Sequence, residues 1–210
     1  MVRVRKIKIA IFVAALLPTA WLAWGLWTSN LGVNPAETIQ LQTGRWALKF
    51  LLITLAITPI RRLAKWNAVI KYRRMLGLFA FYYASLHFLS YIVLDQYFNW
   101  AGMLADIGKR PFITVGFTAF VLMVPLAATS TKGWIRRLGR NWQMLHRLIY
   151  LSAICAGVHF IWKVKVVSGA PVWYAMAIVA LLGFRVVWRF RNVAPGVRAT
   201  KVARYERANP

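Results

Sequence analysis

Residues 9–28 read IAIFVAALLPTAWLAWGLWT, a run without a single charge, and five more apolar runs follow it, separated by stretches rich in lysine and arginine. About 20 apolar residues in a helix span the ~30 Å hydrocarbon core of a bilayer, where a helix also satisfies its own backbone hydrogen bonds. The pattern therefore predicts an all-α membrane protein with about six transmembrane helices. The spans are expected near 9–28, 46–60, 75–95, 112–129, 143–162 and 171–190. The second, WALKFLLITLAITPI, is short for a span and is expected to begin at 46 or a few residues earlier. Residues 1–28 also carry two marks of a cleavable signal peptide, a basic start and an apolar run. Against that reading, the run is long and tryptophan-rich, and no convincing small-x-small cleavage site precedes SNLGVNPAET.

A net charge of +24 from 28 basic and four acidic residues raises the question of nucleic acid. The charges, however, fall in blocks between the apolar runs, as membrane orientation requires. Twenty-one of the 28 lie at the N-terminus, in 61–74, in 130–142 or from Arg185 onward, which is one side if six helices alternate. Both termini are thus expected in the cytoplasm, with a short N-terminus (1–8), one membrane domain (9–190) and a basic tail (191–210). The basic face reads first as topology, then as a contact for anionic lipid or for an acidic soluble reductase. Tryptophans near the expected helix ends, including Trp24, Trp27, Trp46, Trp100, Trp134, Trp142, Trp162 and Trp173, read as interfacial anchors. The single cysteine, Cys155, excludes an internal disulfide and reads as a small hydrophobe.

All three histidines fall on the third and fifth spans. With alternating helices, His87 and His159 both lie in the outer half of the bilayer, and His146 lies near the cytoplasmic start of the fifth. Two neutral imidazoles at one depth on different helices are what six-coordinate haem iron needs. Tyr83, Ser85, Ser90 and Tyr91 are candidate acceptors for the second ring nitrogens. The bland alternative is a histidine that hydrogen-bonds a neighbouring helix, although ionisable groups at membrane depth are functional candidates by default.

Arg73 stands fourteen residues before His87, and His146 thirteen before His159, each about 20 Å along its helix. Thirteen residues overshoot the helical face by about 140°, so an irregularity near Gly157, or a bend, is needed for both histidines of the fifth span to face inward. A guanidinium is a poor metal ligand, so Arg73 reads as a cytoplasmic anchor or as a partner for a haem propionate. His146 is then a candidate ligand at an inner level. No Walker sequence, dinucleotide fingerprint, HExxH or nucleophile elbow is present, and an electron carrier of this kind must draw on quinol or a separate soluble reductase. A transporter or assembly factor would use the histidines for packing or proton relay, but the chain shows no clear internal repeat.

Four segments carry a resemblance: NPAETIQLQTGRWALKFLLITLAITPIRR, RRMLGLFAFYYASLHFLSY, ITVGFTAFVLMVPLAATS and LGRNWQMLHRLIYLSAICAGVHFIWKVK. In order, across about residues 34–165, they closely resemble the MsrQ family, haem-binding membrane subunits of bacterial methionine sulfoxide reductase systems within the ferric reductase-like transmembrane group. The resemblance implies an inner-membrane electron conduit carrying one or two b-type haems, with FMN as a further cofactor of the family. It implies electrons from the quinone pool or a cytoplasmic flavin reductase, delivered to the periplasmic molybdenum-cofactor enzyme MsrP, which reduces methionine sulfoxide in proteins. The subunit alone is not expected to carry out that reduction. Arg73 looks like the replacement for a further histidine that the wider ferric reductase-like group, which includes the NADPH oxidase membrane domains, carries on its third helix, a departure that bears on a second bis-histidine haem. Another pathway's b-type cytochrome would share these histidines but work without a molybdoenzyme.

Overall fold

The computed structural model describes residues 2–164 and 169–191, with side chains from Val4 onward, and every described element is helical. Most of the basic tail lies outside the described residues. In chain order the elements are α1 (Val2–Trp27), α2 (Pro35–Leu63), α3 (Arg73–Ser90), α4 (Trp100–Lys109), α5 (Pro111–Ala128), α6 (Lys132–Leu138), α7 (Arg140–Leu145), α8 (Leu148–Lys163) and α9 (Ala170–Arg191). A 3-10 turn, Asn67–Tyr72, leads into α3, and a π turn, Tyr91–Asp95, ends it.

Five segments are long and apolar enough to cross a membrane: Val4–Trp27, Asn67–Asp95, Pro111–Ala128, Arg140–Lys163 and Ala170–Arg191. The remaining expected span, the second (46–60), lies in the C-terminal half of α2, a helix longer and more polar than that apolar stretch suggests. Its start is set by local chemistry. The Asn34 side chain accepts from the Glu37 N–H at 3.2 Å, Pro35 opens the first turn, and Glu37 lies against the positive end of the helix dipole. With 29 residues, α2 is about 43 Å long. It tolerates polar residues because one side is packed against protein rather than lipid: Leu48, Phe50, Leu51, Leu55 and Ile57 are buried there. The helix also runs past the expected end at residue 60, with Pro59 inside it four residues before Leu63.

Two antiparallel helix pairs form the frame, α2 with α3 and α5 with α8. In the first, His87 approaches Gly44 while Gly77 approaches Thr54. In the second, His159 reaches Phe112, and the fully buried Ser152 donates to the Ala119 carbonyl at 2.9 Å. Phe81, Phe88, Phe117 and Phe120 stack between α3 and α5 and join the pairs, while α9 packs on both α8 and α2. Outside this ring, α1 is held by Tyr83, whose hydroxyl donates to the Ala15 carbonyl at 2.6 Å and accepts from Thr19. The Tyr83 ring also stacks on Phe50 at 5.4 Å.

Chain direction puts the ends of α2 and α5 and the starts of α3 and α8 at one end of the bundle, the basic end. The opposite end carries α4, a short helix not anticipated from the sequence. Asp106 ties it down by pairing with Arg110 at 3.1 Å and accepting from Tyr91 and Gln96. Of the tryptophans read as anchors, Trp24, Trp27, Trp100, Trp134, Trp162 and Trp173 are exposed. Trp46 and Trp142 are instead half-buried, Trp46 against Tyr83 and Trp142 against His146.

Candidate cofactor sites in the bundle

His87 on α3 and His159 on α8 meet inside the bundle, with ring centroids 6.1 Å apart and planes at 69°. Each ring is fixed by one hydrogen bond to a neighbouring helix. The His87 Nδ1–H donates to the Gln40 carbonyl at 2.8 Å, and the His159 Nδ1–H donates to the Phe112 carbonyl at 2.7 Å. A carbonyl can only accept, so each imidazole carries its proton on Nδ1 and keeps its lone pair on Nε2. That is the form in which a histidine binds a metal through Nε2, with the second nitrogen anchored by an acceptor.

The acceptors are not the hydroxyls proposed from the sequence. Tyr83 is engaged with α1, Ser85 donates to Phe81, Ser90 to the His87 carbonyl and Tyr91 to Asp106. The two serines reach back to carbonyls of their own preceding turn, as short hydroxyl side chains in helices do, and the two tyrosines reach other partners. The imidazoles look across to the adjacent helix instead.

The spacing suits a metal between the rings. With a metal–nitrogen bond of about 2 Å and a ring nitrogen about 1 Å from its centroid, two axial imidazoles need centroids roughly 6 Å apart. Among the described residues no group of three or more His, Cys, Asp or Glu side chains could hold a metal ion. Two imidazoles alone match a metal that brings its own equatorial ligands, as iron in a porphyrin does.

The inner level is built differently. His146 lies between α7 and α8, with φ −70° and ψ −4°, where the helical path is interrupted. This break, not one near Gly157, frees His146 from the phase of α8 and resolves the overshoot expected of a continuous helix. Gly157 is regular and buried against Ile178. The His146 Nδ1–H donates to the Trp142 carbonyl at 3.0 Å, and the ring stacks on Trp142 with centroids 3.8 Å apart. Its Nε2 is buried without a hydrogen-bond partner.

His146 lines a cavity of about 510 Å³ at the basic end, together with Arg73, Arg74, Gln143, Arg147 and Tyr150. A volume of this order accommodates a cofactor-sized ligand. Apolar walls from Phe81, Met123 and Leu126 and a cationic rim suit a flat ring system with anionic substituents. Arg73 therefore borders the same cavity as His146, one level below the His87–His159 pair. Nearby, Arg185 lies over the Tyr150 ring and donates to the carbonyls of Leu181 and Leu55, a contact between α9 and α2 that sequence reading did not anticipate. Trp142 also escaped notice as a site residue, although its place one turn before His146 was the available signal.

A model of the ferric reductase like transmembrane component family matches residues 43–157, a stretch that contains His87 and His146 and ends two residues before His159. The chain is 50% identical over 189 residues to the protein-methionine-sulfoxide reductase heme-binding subunit MsrQ of Herminiimonas arsenicoxydans, covering 89% of this chain and 87% of that protein. Proteins of the same name from Xanthomonas euvesicatoria pv. vesicatoria and Azospira oryzae are 50% and 49% identical, over 87% and 90% of this chain and 86% and 82% of their own lengths. No solved structure matches the chain. By sequence and by helical architecture, the chain belongs to the ferric reductase-like transmembrane family, in the group formed by these MsrQ subunits.

Proposed function

We propose that the chain is the haem-containing electron-transfer subunit of a methionine-sulfoxide-reducing system in the bacterial inner membrane. In this reading it takes electrons from the quinone pool or a cytoplasmic flavin reductase and delivers them to a periplasmic molybdenum-cofactor reductase, MsrP. The observation that carries the reading is the pair His87 and His159, with ring centroids 6.1 Å apart and both Nδ1 protons committed to backbone carbonyls. A haem b held there supplies a one-electron iron couple. The two imidazoles would hold the iron, and their hydrogen bonds to the Gln40 and Phe112 carbonyls fix ring orientation and would raise ligand basicity.

The inner cavity is the second cofactor position. His146 offers its unpartnered Nε2, Trp142 holds the imidazole by stacking, and Arg73, Arg74 and Arg147 provide charge for anionic groups. A second haem and an FMN share the planar ring and anionic substituents that this site suits. Arg73 acts as a charge partner there, because a guanidinium keeps its proton and has no lone pair to give.

The excess of basic residues at one end of the bundle supports placing that end, with both termini, in the cytoplasm. The His87–His159 level then lies toward the periplasm, on the side of an outer acceptor. The test uses the full chain in detergent, reduced with dithionite that is then removed. Adding a periplasmic molybdenum-cofactor reductase with a methionine-sulfoxide peptide should return the haem spectrum to its oxidised form, with methionine produced at one per two electrons. A spectrum unchanged by reductase and peptide together would rule out this assignment of the acceptor.

A further inference from the structure

The two outer histidines are held by the same device, used twice. In each, a histidine donates from Nδ1 to a carbonyl of the antiparallel neighbour helix, 47 residues earlier in both cases. In each, a glycine stands four residues after that carbonyl: Gly44 after Gln40, and Gly116 after Phe112. A Cβ on Gly116 would lie 2.5 Å from His159 Nδ1 and 2.8 Å from its Cε1. A Cβ on Gly44 would lie 3.1 Å from the corresponding atoms of His87.

Helix geometry explains the spacing. The Cα–Cβ bond tilts toward the helix N-terminus, so a side chain covers the surface one turn before its own Cα. The residue four places after a carbonyl is thus the one whose Cβ overhangs it. Only glycine there leaves the carbonyl open to a ring coming from the next helix. Sequence comparison of the chain with itself does not reveal this repeat, because carbonyls can come from any residue: Gln40 serves in one copy and Phe112 in the other.

We propose that Gly44 and Gly116 are positioning residues for the outer histidines, each opening a notch that lets an imidazole bond the carbonyl one turn back and so fixes its Nε2 toward a shared axial site. This rests on the haem reading above for the group that the site receives. The contacts also rank the two notches. At Gly116 the obstruction reaches three ring atoms at under 3 Å, so His159 must abandon the Phe112 carbonyl. At Gly44 a shift of a few tenths of an ångström suffices, so the His87 ring tilts but stays.

The test compares Gly116→Ala, Gly44→Ala, Gly157→Ala and Gly183→Ala in the full chain, purified in detergent. Haem per chain, electron paramagnetic resonance of the low-spin ferric signal and thermal stability are read on each. Gly116→Ala is expected to weaken retention of the outer haem by roughly 10- to 100-fold, the usual effect of losing a ligand's outer support. Gly44→Ala is expected to keep haem while shifting the low-spin g values. Gly157→Ala presses only on the Ile178 side-chain end, and Gly183→Ala meets nothing within 4 Å, so both should match wild type in haem content and g values.

Wild-type haem content and g values in both Gly116→Ala and Gly44→Ala would overturn the proposal. So would an equal loss of haem in Gly116→Ala and Gly157→Ala, which would mark a packing effect. If Gly116→Ala does not insert, the g values of Gly44→Ala decide, and their constancy overturns it. A wild-type protein that takes up no haem would instead fail the parent reading.

Discussion

His87→Ala and His159→Ala are each expected to abolish the outer low-spin haem signal while leaving an inserted, folded bundle. Low-spin six-coordinate iron needs two strong protein ligands, and the proposed function assigns one to each histidine. Neither loss strands a buried polar group. The Gln40 and Phe112 carbonyls lie within α2 and α5, where a backbone N–H four residues on is the ordinary partner of each. The surviving cost is a cavity the size of an imidazole, of the order of 1–3 kcal/mol, spread over a bundle held by α2/α3 and α5/α8 packing. Haem per chain at the outer site should therefore fall to background in both variants, with the same elution volume in detergent as wild type. A variant that retains the wild-type low-spin spectrum would remove that histidine from the axial pair.

The second large effect is expected from His146→Ala, and it should be separable from the first. Its Nε2 is the one histidine nitrogen among the described residues that is buried and unpartnered, and it borders the cavity lined by Arg73. The variant should lose the inner cofactor and keep the outer low-spin spectrum unchanged. If haem per chain falls by one, the inner group is a haem; if flavin per chain falls, it is FMN. Arg73→Gln should weaken retention of the same group by roughly 10-fold or more, the worth of a charge-assisted hydrogen bond to an anion. Unchanged haem and flavin in both variants would leave the inner cavity without a cofactor role.

Much of the frame was legible because the bilayer restricts what a chain can do. Apolar runs at 75–95, 112–129 and 171–190 lie within a few residues of the helices that contain them. Counting residues from the expected membrane edge also put His87 and His159 at a common depth, and the structure brings their rings together.

What escaped sequence reading depends on neighbours. The start of α2 was misjudged because Glu37, Gln40, Gln42 and Arg45 dilute its apolar character, although the Asn34–Pro35–Glu37 capping pattern was there to be read. The ring acceptors were sought among hydroxyls because side chains are what a sequence displays. The actual partners are backbone carbonyls, which every residue has and no sequence marks. For the same reason Gly44 and Gly116 looked like any helical glycines until a histidine from another helix was seen filling the space beside each. The helix spacing calls for an irregularity near Gly157 or a bend; the path through Gly157 is regular, and the interruption falls at His146, which no proline or glycine marks.

The central claim is that His87 and His159 hold a haem. The most direct measurement is a reduced-minus-oxidised absorption spectrum of the detergent-purified full chain, produced with ample haem supply and with haem quantified per chain. The account predicts a low-spin b-type spectrum with at least one haem per chain. A correctly inserted protein that carries no haem would contradict it.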